Sequence, residues 1–248
     1  MTRVRVARIL LTLLGVWAAV GGLAVLTIFL LARPAPDNPA KFSDERAVVF
    51  MGVTLMAVWC LIGGILQRVV RDPFKRLIGR IPIGWRTKLV LLCIIFALLE
   101  EAVTTGLTNL APVFGGVTEA AKITASKNYL EVVCLHSVVV FVPSFIIWAV
   151  ILSFFDFAPA EVMLLYGLTG WLMELVTFGP QNWGMIGMWV FVYGLMVYLP
   201  ACTVPEDRKV RRVRWWYWPI TVVVLLFAGV PFVPVVFLIR WLIGYTGQ

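Results

Sequence analysis

The sequence predicts an all-α, polytopic transmembrane helix bundle of about seven spans. Three observations predict it. The chain is 61% hydrophobic and only 14% charged, with a mean hydropathy of +0.95, where soluble domains hold about 45–50% apolar and about 25% charged residues. The apolar residues fall into runs long enough to cross roughly 30 Å of hydrocarbon, which takes about 20 residues of helix. The runs lack period-2 alternation, so helices rather than a barrel satisfy the backbone in lipid.

The first run, 9–32, follows the basic start Arg3, Arg5 and Arg8. It exceeds the roughly 7–15 residues of a signal-peptide core, so it reads as an uncleaved first span. Six more follow at 47–67, 88–110, 130–155, 160–178, 184–203 and 216–241. The whole chain forms one transmembrane domain, with a basic linker at 68–87 and a loop or lid at 111–129.

Orientation follows from Lys and Arg in short loops. With the N-terminus cytoplasmic and the C-terminus outside, one side holds Arg3–Arg8, the linker from Arg68 to Lys88, and the block Arg208–Arg214. That is 15 of the 21 basic residues. Three blocks share a side only if the number of spans between them has the right parity, and it does. The chain reads as a multi-pass protein of a prokaryotic cytoplasmic membrane. Its net charge of +8 is absorbed by this topology, which leaves no basic face for nucleic acid.

The third basic block runs into Trp215-Trp216-Tyr217-Trp218, an aromatic anchor at headgroup level. The 68–88 stretch reads as an ordinary loop or as an interfacial helix touching anionic lipid. Pro231 and Pro234 predict a kink in the last span. Gly167/Gly170 and Gly184/Gly187 predict close helix approach. The four cysteines form no CxxC pair and read as small buried hydrophobes.

An ionisable side chain inside a span points to function, because burying it in lipid is costly. Glu100 and Glu101 lie near the middle of the third span, and Glu101, Thr105 and Thr108 share one helical stripe. His136, the one histidine of the chain, lies in the fourth span and Glu174 in the fifth. At 1.5 Å per residue, Glu100 and Glu101 lie about 14 Å below the outer boundary, His136 about 9 Å and Glu174 about 6 Å. Asn109, Gln181 and Asn182 sit at the rim, and Glu131 reads as interfacial. The expected site therefore faces outward, with Glu100, Glu101 and His136 as catalytic candidates and Glu174, Thr105, Thr108 and Asn109 as binding candidates.

Two close carboxylates and an imidazole suit general acid–base work, a proton relay, or a neutral hydrogen-bonded network that ties helices together. No cofactor is predicted. A divalent metal at Glu100, Glu101 and His136 is a further option on donor type alone.

Glu100-Glu101 on one span, followed by His136 on the next, resembles the opening of the intramembrane CAAX-processing and bacteriocin-immunity protease family. That resemblance implies water activation by Glu100 or Glu101 with assistance from His136. Thr105 stands where the family's pattern has Arg and Val132 where it has Phe, and its second histidine has no counterpart. Three functions stay open: an intramembrane hydrolase, a proton-coupled transporter or channel, and a non-enzymatic subunit of a membrane assembly. The expected partners are the lipid bilayer and either another membrane protein or further copies of the chain.

Overall fold

The computed structural model describes residues 2–33 and 38–230, with 234, 237, 238 and 241 beyond them. The described residues are helical, apart from turns and an isolated bridge between Phe155 and Arg211. Helix α1 spans Arg3–Leu31 and α2 spans Pro39–Gly79, the latter with a π-helical stretch at Met56–Gly63. Helix α3 is Trp85–Asn109. The next is broken into α4a, Tyr129–His136, and α4b, Val138–Phe154. Then come α5, Pro159–Phe178, α6, Ile186–Cys202, and α7, Tyr217–Leu226.

Five of these helices are long and apolar enough to cross a membrane, counting α6 with its leading 3-10 turn from Pro180; α4a and α4b together make a sixth. This is an integral membrane architecture. The seventh expected span begins as α7, and its remainder, with Pro231, Arg240 and the expected kink, falls largely outside the described residues.

Two boundaries depart from expectation. The apolar run 47–67 and the basic linker 68–87 are one helix as far as Gly79. Hydropathy marks where a helix leaves the apolar layer, whereas the backbone ladder continues as long as its residues tolerate it. At the end of the apolar run and beyond it the helix is held to its neighbours. Gln67 donates to the Leu195 carbonyl at 3.1 Å, and Lys75 pairs with Glu206 at 2.6 Å, holding the Glu206 carboxyl below its usual range.

The expected continuous span 130–155 is bent by 49° between His136 and Val138. Ser137 leaves helical geometry at φ −126°, and its hydroxyl and amide both bond the Val132 carbonyl, at 3.2 and 3.0 Å. A serine hydroxyl that competes for backbone acceptors in this way unsettles a helix.

The tightest packing joins α5 to α6. A Cβ on Gly167 would lie 2.3 Å from the Val190 carbonyl oxygen, and one on Gly170 would lie 2.2 Å from the Tyr193 ring. Gly187 gives α1 the same closeness, with the Leu14 oxygen 2.3 Å from its would-be Cβ. The expectation fails for Gly184, which faces open space. Of the cysteines, Cys93 and Cys202 are buried and Cys60 half-buried, while Cys134 is exposed and departs from the expected burial.

The three basic blocks converge on one end of the bundle. Arg3 reaches Asp156 at 3.3 Å, in the turn between α4b and α5, and Asp156 also accepts from the Val213 amide at 2.9 Å. Arg86 and Arg208 each lie 5.2 Å from the Trp85 ring. Fully buried Glu161 links α1, α5 and α7, with Arg3 at 3.8 Å and the Trp218 indole donating at 3.1 Å. This is the arrangement that the loop-parity argument requires.

Candidate functional site

Seen from the basic end, Glu100 lies fifteen residues up α3 from Trp85, about 22 Å at helical rise. Glu100 and Glu101 are both buried. Their neighbours come from every helix between α2 and α6. The Glu100 carboxylate interacts electrostatically with those of Glu101 and Glu174, and with the Cys60 thiol on α2. Glu101 lies against the hydroxyls of Ser137, at the α4 break, and of Thr104, whose Oγ1 is 3.3 Å from Glu101 Oε2. On α5, Glu174 accepts a short hydrogen bond from the Tyr193 hydroxyl of α6. Tyr193 in turn feels all three carboxylates. No Lys or Arg among the described residues lies within ion-pair distance of any of the three.

Tyr193 also lines a cavity of about 80 Å³, whose polar wall is Ser144, Tyr166 and Thr169. The Ser144 and Tyr166 hydroxyls are 3.1 Å apart. The space is large enough for ordered water, which needs polar partners of this kind. Thr169 lies five residues before Glu174 on α5, on the side toward the basic end.

The expected residues divide into two groups. Glu100, Glu101 and Glu174 lie within electrostatic reach of one another. Thr105, one turn beyond Glu101, is buried with its Oγ1 lacking a hydrogen-bond partner among the described residues. Thr108 and Asn109 are engaged with the segment that follows α3. Thr108 Oγ1 accepts from the Ile123 amide at 3.2 Å and from the Thr124 hydroxyl at 3.0 Å. The Asn109 amide donates to the Lys127 carbonyl at 2.9 Å. Both tie down the 111–128 segment, a folded cap that opens with a 3-10 turn at Ala111–Phe114.

His136 Nε2 stands 3.7 Å from Glu131 Oε1, whose other oxygen accepts from Ser126 Oγ at 2.8 Å. Glu131, expected to be only interfacial, is thus half-buried and paired. Asn182, in the turn that leads into α6, is buried and takes the Trp189 indole on its Oδ1 at 3.0 Å. Among the described residues no three His, Cys, Asp or Glu side chains converge as metal ligands, so Glu100, Glu101 and His136 are not placed as a ligand set.

Sequence reasoning missed Tyr193, Thr104, Ser137, Cys60 and Asp44. Tyr193 carried a readable signal, a phenol inside an apolar run, since buried tyrosines need a hydrogen-bond partner. Asp44 lies three residues before the expected second span. It accepts from the Val117 amide at 2.7 Å, the Thr118 amide at 3.1 Å and the Thr118 hydroxyl, and so anchors the cap to α2. A hydrogen bond to a charged group contributes about 1.5–3 kcal/mol. In Asp44→Ala the Val117 and Thr118 amides should therefore exchange hydrogen about ten-fold faster or more, with α5 and α6 amides unchanged. Unaltered exchange at 117 and 118 would mean that the cap is held elsewhere.

Comparison with protein-family models, with curated proteins and with solved structures finds no match for this chain.

Proposed function

We propose that this integral membrane protein conducts or exchanges protons through the acid cluster of Glu100, Glu101 and Glu174. One observation carries the reading: three buried carboxylates lie within electrostatic reach of one another beside the hydroxyls of Tyr193, Ser137 and Thr104, with no Lys or Arg beside them among the described residues. An unpaired charge in a membrane interior is costly, and intramembrane acids that survive there are characteristic of ion and proton pathways. The Tyr193 hydroxyl meets part of the need of three carboxylates, and an exchangeable proton meets the rest. The buried, unpartnered Thr105 hydroxyl and the polar cavity beside Tyr193 extend the set in both directions along the bundle.

With the basic end cytoplasmic, as in a prokaryotic inner membrane, the cap lies over the outward mouth. The test uses the full chain in liposomes holding a pH-sensitive dye, driven by a potassium diffusion potential of either sign. Wild type acidifies or alkalises the lumen according to that sign, and Glu101→Gln falls to the rate of protein-free vesicles. Wild-type vesicles no more permeable than empty ones would remove the proposal.

A second reading, an intramembrane hydrolase, is favoured by the contact with Glu101 of Ser137, the residue that follows His136 in the chain. It requires Glu101→Gln and His136→Gln each to abolish cleavage of a membrane-embedded peptide. Cleavage that persists in either variant excludes it.

A further inference from the structure

A groove of about 540 Å³ runs between α3 and α4b from the basic end toward the middle of the bundle. Its walls are Val90 on α3 and Ile146, Ala149, Val150 and Phe154 on α4b, with Arg86 at the mouth. No acidic side chain lines it. The exposure of Ile146, Val150 and Phe154 faces the groove to the hydrocarbon that surrounds a spanning helix.

The guanidinium at the mouth is held in place. Arg86 Nε donates to Ser153 Oγ at 2.6 Å, a bond that does not use its two Nη groups. Arg86 also stacks on Trp85, and Arg208 lies on the same ring at an equal 5.2 Å, so a second cation is close by. Arginine forks suit phosphate oxygens bidentately.

We infer that this groove binds one anionic phospholipid of the leaflet at the basic end, with its phosphate on Arg86 and an acyl chain along Val90, Val150 and Ile146. The apolar length of the groove distinguishes this ligand from free phosphate, which would leave those walls uncovered. The charge at the mouth distinguishes it from a zwitterionic lipid. The inference rests on the membrane architecture and not on the acid cluster, so either can fail without the other.

Native mass spectrometry of the full chain, released from detergent after exposure to phosphatidylglycerol or phosphatidylcholine, tests it. Wild type should retain one phosphatidylglycerol in clear preference to phosphatidylcholine. A basic residue at the membrane surface is worth about a five-fold preference for anionic lipid, and Arg86→Gln should lose at least that much while Arg86→Lys keeps part of it. Ala149→Phe, which fills the groove but leaves the charge, should lose the bound lipid as well. Arg33→Gln, at the opposite end of α1, controls for net charge and should change nothing.

Three results would overturn the inference. One is equal retention of the two lipids by wild type. Another is an Arg33→Gln loss as large as that of Arg86→Gln. The third is a dimer that Ala149→Phe dissociates, because the occupant would then be a second copy of the chain.

Discussion

Gly167→Leu should abolish the folded protein, with an expected loss of about 3 kcal/mol or more. A Cβ alone at this position would sit 2.3 Å from the Val190 carbonyl oxygen and 2.8 Å from its Cα. These are backbone atoms of α6 and cannot rotate away as a side-chain tip can. Relief requires the two helices to separate along their whole contact, which also holds buried Met163, Leu164, Val190 and Met196. Helix pairing in lipid lacks a hydrophobic drive and depends on this kind of close fit, so little remains to compensate. Size-exclusion profiles and thermal unfolding in detergent measure the effect. Gly184→Leu, where the added Cβ meets open space, serves as the matched control and should behave as wild type. A monodisperse Gly167→Leu with an unchanged melting temperature would show that the α5–α6 contact is looser than described.

The second large effect is expected for Tyr193→Phe. The ring keeps its place against Gly170, while the hydroxyl that donates to Glu174 is lost. Glu174 is 8% exposed, and removing one partner from a buried polar pair costs about 1–3 kcal/mol, more when the remaining group is charged. The same change in a Glu174→Met background should cost much less, because no buried acceptor is then left unpaired. A double-mutant cycle read from thermal unfolding isolates that difference. Equal losses in both backgrounds would show that the hydroxyl and the carboxylate act independently. In liposomes, Tyr193→Phe should also slow proton flux, because the phenol joins the acid cluster to the cavity lined by Ser144, Tyr166 and Thr169.

The acids of the candidate site were legible because charge inside an apolar run stands out against the cost of burying it. Glu100, Glu101 and Glu174 could be named from their positions alone, and the three lie within electrostatic reach of one another. The hydroxyls that serve them could not be singled out. Thr104 and Thr105 are adjacent and chemically alike, yet Thr104 contacts Glu101 while Thr105 is left without a partner among the described residues. Which of two neighbouring threonines meets a carboxylate depends on rotamer and helix rotation. Thr108, on the stripe of Glu101, and Asn109, at the rim, were binding candidates, and the cap reaches back to their polar atoms. Asp44 was invisible as an anchor because the amides it holds lie more than seventy residues away in the chain.

By itself the sequence determined the helical class, the positions of most spans and the common side of the basic blocks. Each of these follows from a local cost, lipid against water or charge against hydrocarbon, that sums along the chain without reference to a partner. Only the tertiary structure decided the unbroken α2, the bend at Ser137, the closeness of α5 to α6 and the joining of Tyr193 to Glu174. Those features depend on which side chain fills which space between helices, and such fits are set jointly by residues distant in sequence.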